Sequence, residues 1–318
     1  MSGKNLPYHL RVKKDIERRL FVEQLRLISK FYDLEQYSYV SMAGPFSEDF
    51  KLMSDRFNFK HFFSYEMDED VYKRQKFNIP FNPIHYLHNN ISDFSDNYPD
   101  IETLDLENIV IWLDYTDFKF EFFENFERLI GTLSKGSVIK ITLLTHIAQV
   151  YSRNDIDVET MREERVKRLK DILGEKYFYS DIFTTDSMTA KGFPQIIFEV
   201  LNRIAYNSLI GGKTKLLPLS SYIYQDGMMM LTYTGILIDI DEEKIFLRKT
   251  GLDNWNYGLY SSFNPLLIDV PFLSLKEKYS LDACLPSPPS GELKYLQKKE
   301  FSSYEKFRKF YPTYAKII

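Results

Sequence analysis

Tyr39-Val40-Ser41-Met42-Ala43-Gly44-Pro45-Phe46, followed by Phe62-Phe63-Ser64-Tyr65-Glu66-Met67-Asp68, decides how this chain is read. The first stretch is an apolar strand running into a tight glycine turn. The second is another strand, ending on a carboxylate. Gly44 and Glu66 stand 22 positions apart. That is near the spacing of about 20 residues between a first βα turn that holds one end of a nucleotide and an acid that takes its ribose hydroxyls. The turn has one glycine, where such loops usually carry two or three.

Outward from this pair, strand and helix alternate. Strand 1 is expected over 37–43. A helix over 46–57 follows, with Ser47 as its N-cap and Glu48 and Asp49 in its first turn. Strand 2 is expected over 60–66 and a helix over 68–78, stopped by Pro80 and Pro83. Strand 3 falls at 84–88. Asn108-Ile109-Val110-Ile111-Trp112-Leu113 is a nearly continuous apolar run, the pattern of a strand buried on both faces. A helix over 119–134 ends at Gly136, and Val138–Leu144 forms strand 5. This rhythm predicts a mostly parallel α/β sheet with right-handed crossovers. Charged and apolar helices over 157–173 and 194–208 come next. Leu219–Tyr224 and Met228–Ile240, joined by Gln225-Asp226-Gly227, then form an antiparallel hairpin that closes the sheet.

The expected organisation is an N-terminal helical segment over 1–36, a Rossmann-like domain over 37–240 and a C-terminal extension over 241–318. The extension carries helices over 275–284 and 302–316, with a loop at Pro286–Gly291 between them. The first helix, over 9–31, mixes Leu10, Ile16, Leu20, Leu27 and Ile28 with Lys13, Lys14, Glu17, Arg18 and Arg19. Its basic cluster is expected on a solvated face.

Composition narrows the classes. Hydrophobic residues at 44% and aromatics at 16% suffice for a packed core, which argues against disorder. A formal charge of −4 argues against a globally basic nucleic-acid coat. Cys284 is the single cysteine, so an intrachain disulfide and a Cys-based zinc site are excluded. His9, His61, His85, His88 and His146 show no ligand spacing, and no metal is expected. With no apolar signal core and no run of about 18 apolar residues, a soluble cytoplasmic protein away from membranes is the expectation.

Five parallel βα steps followed by a β-hairpin resemble the class I S-adenosylmethionine-dependent methyltransferase fold, over about residues 37–240. The resemblance implies S-adenosylmethionine as cofactor. Its methionine part would meet the loop carrying Ser41, Gly44 and Pro45, where Glu48 and Asp49 could receive the ammonium. Glu66 matches the acid that takes the ribose hydroxyls. Asp68, Arg74 and Asn78 resemble the stretch after strand 2 in RNA and protein methyltransferases. Asp93-Phe94 matches the pair that reads adenine, the Asp accepting from the exocyclic amine and the Phe covering a ring face. Asp114-Tyr115-Thr116-Asp117-Phe118 sits where the family's catalytic motif belongs, so Asp114, Tyr115 and Asp117 become the catalytic candidates. It loosely resembles the acid-Pro-Pro-aromatic loop of amino-methylating enzymes, without the prolines.

Each of these residues also has a plainer reading. Glu66 suits a solvated strand end, Asp93 an Asx turn, and Gly44 a turn alone. His146 can be a general base or a capped histidine. Gly211-Gly212-Lys213-Thr214 lacks the first glycine of a phosphate loop, since Asn207 stands there, and a helix precedes it. Met228-Met229-Met230 reads as core.

Three functions remain: transfer of a methyl group to an N or O nucleophile of RNA, protein or a small molecule; an inactive methyltransferase-like scaffold or nucleotide-sensing subunit in a multi-subunit complex; and a Rossmann dehydrogenase, against which the hairpin counts.

Overall fold

A computed structural model describes residues 11–81, 84–96, 108–260, 262–287, 293 and 295–312. His9, Leu10, Pro83, 288–291 and the end of the last expected helix lie outside them. Among the described residues the strands are β1 (Ser38–Ser41), β2 (His61–Tyr65), β3 (His85–Leu87), β4 (Ile109–Asp114), β5 (Val138–Leu144), β6 (Thr214–Asp226), β7 (Met228–Asp239) and β8 (Leu266–Ile268). The helices are α1 (Val12–Ile28), α2 (Glu48–Ser54), α3 (Glu69–Phe77), α4 (Asp93–Asp96), α5 (Phe120–Thr132), α6 (Ile147–Val150), α7 (Val158–Tyr177), α8 (Gly192–Ser208), α9 (Glu243–Thr250), α10 (Leu275–Cys284) and α11 (Lys298–Phe307).

One sheet holds all eight strands, in the order β3-β2-β1-β4-β5-β7-β6-β8. The pairs from β3 to β5 are parallel. β7 lies antiparallel to β5 and β6, and Gly227 at φ +96° makes the tip of their hairpin. This is the mostly parallel α/β sheet closed by a hairpin that the sequence predicts. The hairpin's first strand starts five residues earlier than its apolar run, because Thr214–Pro218 also pairs with β7.

The chain after residue 240 adds to the same structure. β8 pairs parallel to β6. Trp255, Leu281, Phe301, Tyr304 and Phe307 share one core layer with α1 and α2. Of Met228–Met230, read as core, Met229 and Met230 are half-buried and pack against the two core layers, while Met228, next to the hairpin tip, is exposed.

Strand register explains why the two faces differ. Alternate side chains face opposite layers. Toward α5, α7 and α8, the sheet presents Val40, Phe63, Ile111, Leu113, Ile139 and Ile141, all apolar. Toward α1 and α2 it begins apolar, with Phe62, Tyr39, Val110 and Val138 side by side. One step toward the C-terminal edge the row becomes Ser64, Ser41, Trp112 and Lys140. One step further, Asp114 lies opposite Thr142.

α1 carries the matching gradient. Leu25 and Ile28 are buried among the apolar rows, and Lys14, Glu17, Arg18 and Phe21 meet the row that carries Trp112 and Lys140 or the Asp114 beyond it. The expectation of a solvated basic face is therefore corrected. Lys14 and Arg18 are each only 4% exposed, because Asp114 and the Trp112 indole of the sheet and Glu48 of α2 meet them.

Candidate functional site

β1 is flanked by β2 on one side and β4 on the other, so the chain's crossovers leave it in opposite directions. In open α/β sheets ligands sit at the carboxyl ends of strands at such a switch point. The loop after β1 and the end of β4 both lie there.

The loop turns on Gly44, whose φ is +60°. Ser47 also takes a left-handed backbone, at φ +48°. Ser47 is the N-cap residue of α2, as the sequence predicts, but its hydroxyl makes no capping bond and its left-handed backbone carries the chain into the helix. α3 braces the loop from the side. Asn78 Nδ2 donates to the Pro45 carbonyl at 2.9 Å, and the Arg74 guanidinium lies 4.6 Å from the centre of the Phe46 ring. Arg74 and Asn78 thus contact the loop after β1.

Glu66 follows β2 directly at the C-terminal edge and is half-buried. Its Oε1 accepts from the Asp68 amide at 2.8 Å, which fixes the carboxylate's orientation. Asp68 in turn caps α3, accepting from the Asp70 and Val71 amides. Asp93 begins α4 and its amide donates to the Asn90 carbonyl. Phe94 is fully buried, edge-on to Tyr65 at 5.9 Å, so its ring belongs to the core layer under the edge.

The three catalytic candidates separate. Asp114 faces α1. Tyr115 faces the opposite layer, with its ring stacked on Phe122 at 3.9 Å and its hydroxyl accepting from Asn125. Asp117 is exposed, with Oδ1 accepting from the Phe118 amide. Adjacent residues leaving a strand point to opposite faces, so this stretch delivers one carboxylate to the polar layer. His146 stands at the head of α6, after β5, half-buried.

Around Asp114 lies a buried set of charges that the sequence reading missed. Lys14 Nζ is 2.8 Å from Asp114 Oδ2, and both side chains are under a tenth exposed. Oδ1 of the same carboxylate is buried and has no hydrogen-bond partner among the described residues. Lys140 Nζ lies 2.6 Å from Glu17 Oε1, both wholly buried. The same ammonium sits 3.8 Å from the Trp112 ring centre and 4.1 Å from that of Phe21. Arg18 reaches Glu48 at 3.7 Å. Asp49 is buried and accepts from the Tyr39 hydroxyl at 3.0 Å. Glu48 and one oxygen of Asp49 are therefore engaged within the protein, while Asp49 Oδ1 is buried without a hydrogen-bond partner among the described residues.

Burial pushes the Asp114 carboxyl up, but Lys14, with Arg18 and Lys140 behind it, more than offsets this and holds it below the usual range. Asp114 is consequently an acceptor at neutral pH and a poor base. Burial raises the Asp49 carboxyl against the pull of Arg18. Burial drives the Lys140 ammonium down to about 8, against the pull of Glu17 and Asp114. The spacing Lys14, Glu17, Arg18 on one helix stripe, facing a lysine and an aspartate in strands, was the available signal.

The sequence model of the family described as "Putative O-methyltransferase" matches residues 6–318. The chain belongs to this family. None of the curated proteins matches it. Solved structures similar to it include Trm1 from Pyrococcus horikoshii with S-adenosyl-L-methionine, at 12% identity and TM-score 0.42, over 71% of this chain and 55% of that one. The chain thus spans about half of that structure's length. The N-methyltransferase NodS from Bradyrhizobium japonicum is similar at 9% identity and TM-score 0.36, over 70% and 97%. TYW2 from P. horikoshii in complex with MeSAdo is similar at 10% identity and TM-score 0.36, over 68% and 61%. No helix among the described residues is long and apolar enough to cross a membrane, and no group of His, Cys, Asp and Glu among them could hold a metal ion.

Proposed function

We propose that this chain is an S-adenosylmethionine-dependent methyltransferase acting on an oxygen or nitrogen nucleophile of RNA, protein or a small molecule. The family's description favours oxygen. The observation that carries the reading is the polar C-terminal edge at the switch point. There a braced glycine turn lies between an oriented carboxylate, Glu66, and a buried carboxylate with an unused acceptor oxygen, Asp114. These residues fit the cofactor: two acceptors of opposite placement for a ligand with ribose hydroxyls at one part and an amino acid at another.

Glu66 would accept from the ribose hydroxyls, Asp93 would face the base, and Ser41, Gly44 and Pro45 would line the methionine part. The bound cofactor supplies a methyl group already activated on sulfonium. The protein's part is then to hold the two reactants in line and exclude water, by the packed α1 layer and the loop that α3 braces. Asp114, kept anionic, orients a donor hydrogen rather than removing a proton.

Calorimetric titration with S-adenosylmethionine and S-adenosylhomocysteine, with NAD as control, tests this. The first two should bind saturably. Glu66→Ala should weaken them by about 1–3 kcal/mol, the cost of losing a charged hydrogen-bond partner. Equal affinity in the folded variant removes Glu66 from the site. A second reading, an inactive scaffold in a larger assembly, is favoured by the internal engagement of Glu48 and of one oxygen of Asp49. Absence of binding at millimolar ligand, with a stable partner complex, would establish it instead.

A further inference from the structure

We infer that Asp114 receives the ammonium of the cofactor's amino-acid end, and that Lys14 is the residue that positions Asp114 to do so from α1. The inference rests on the methyltransferase reading and assigns part of its ligand to two residues. Ser41 pairs with Trp112 in register. Two positions further along each chain come Ala43, at the brink of the Gly44 turn, and Asp114. The carboxylate thus lies beside the loop expected to meet the methionine part. Of the acids after that loop, Glu48 meets Arg18, and Asp49, with Oδ2 on the Tyr39 hydroxyl and Oδ1 buried without a partner among the described residues, is pushed by burial toward its neutral form, whereas Asp114 is held anionic.

Asp114 presents its two oxygens differently. Oδ2 takes the Lys14 ammonium at 2.8 Å, while Oδ1 is buried and lacks a hydrogen. A buried acceptor left unmade is costly, and a charged donor is its strongest remedy. Around the carboxylate, α1 contributes Lys14 and Arg18, α2 contributes Asp49, and β5 contributes Lys140, which Glu17 of α1 neutralises. Lys14 is the cation in contact, so it sets both the charge and the rotation of the carboxylate. The sequence puts this helix's basic cluster on a solvated face, whereas the structure sets Lys14, in its first turn, against Asp114.

Two probes separate positioning from folding. S-adenosylhomocysteine carries the amino-acid end; 5′-deoxy-5′-methylthioadenosine lacks it. Lys14→Met should weaken the first by about tenfold or more, the scale of one charged hydrogen bond, and leave the second unchanged. Lys14→Arg should recover most of the loss. In Lys14→Met the Asp114 carboxyl is no longer held down. Affinity for S-adenosylhomocysteine should therefore fall further as the solution is made acidic, a limb that starts at higher pH than in the unsubstituted protein or in Lys14→Arg. Equal losses for both probes, or no loss for either, would overturn the inference while leaving the cofactor reading intact. Failure of the unsubstituted protein to bind either probe would overturn both.

Discussion

Lys140 and Glu17 give the most exposed test of the physical account, because nothing solvates either. Their charged atoms are 2.6 Å apart with both side chains fully buried, and the ammonium is boxed by Trp112 and Phe21. Lys140→Met leaves the Glu17 carboxylate buried beside apolar atoms. Removing one partner of such a pair costs about 3–5 kcal/mol. Replacing both, as Glu17→Leu with Lys140→Met, removes the desolvation of two charges together with their attraction. It should return the protein to within about 1 kcal/mol of its original stability, or above it.

The assay is urea unfolding with linear extrapolation over the four-member cycle. The pH dependence adds an independent check. The folded Lys140 gives up its proton at about 8, whereas an unfolded lysine does so near 10.4. Between those values the unfolded chain binds the extra proton, so stability should rise with pH across that window, by roughly 3 kcal/mol at most. The double variant should lack this rise. An additive cycle, or a Lys140→Met loss below about 1 kcal/mol, would refute the claim that the two charges are buried as a pair.

Further outcomes follow from the same contacts. Asp114→Asn removes the carboxylate charge that Lys14 meets at 2.8 Å and should cost about 3 kcal/mol in unfolding free energy. Pairing Lys14→Met with Asp114→Leu should restore most of that stability without restoring affinity for S-adenosylhomocysteine, which calorimetry and unfolding together would read. Ser47→Gly should stabilise the protein by about 0.5–1 kcal/mol, because glycine adopts φ +48° without the steric cost a side chain adds. A higher urea midpoint at unchanged slope is the expected result, and a lower one would mean that the Ser47 side chain contributes more than its strained backbone costs.

The sheet was legible because each parallel strand is a short apolar run bounded by glycine, proline or charge. Ile109–Leu113 announces burial on both faces without any knowledge of its neighbours. The Gly44-to-Glu66 spacing was legible for the same local reason, since turn, helix and strand lengths fix it. What sequence could not supply was cross-strand adjacency. Lys14, Glu17 and Arg18 look like an ordinary solvated stripe until the register sets Trp112 beside Lys140 and Asp114 beside Thr142. Asp114, Tyr115 and Asp117 look like one loop motif, although backbone alternation sends the first to α1, buries the second in the opposite layer and leaves the third in solvent. Phe94 shows the same limit: an aromatic beside an acid can cover a ligand or fill a core, and packing against Tyr65 decides for the core.

The central claim is that a ligand with adenosine at one end and an amino acid at the other spans the edge between Glu66 and Asp114. A crystal structure of the protein with S-adenosylhomocysteine tests it most directly. The account predicts ribose hydroxyls on the Glu66 carboxylate, the amino-acid end against the turn at Gly44, and the ammonium on Asp114 Oδ1. Ligand density elsewhere, or an amino-acid end that makes no contact with Asp114 while Glu66 holds the ribose, would contradict it.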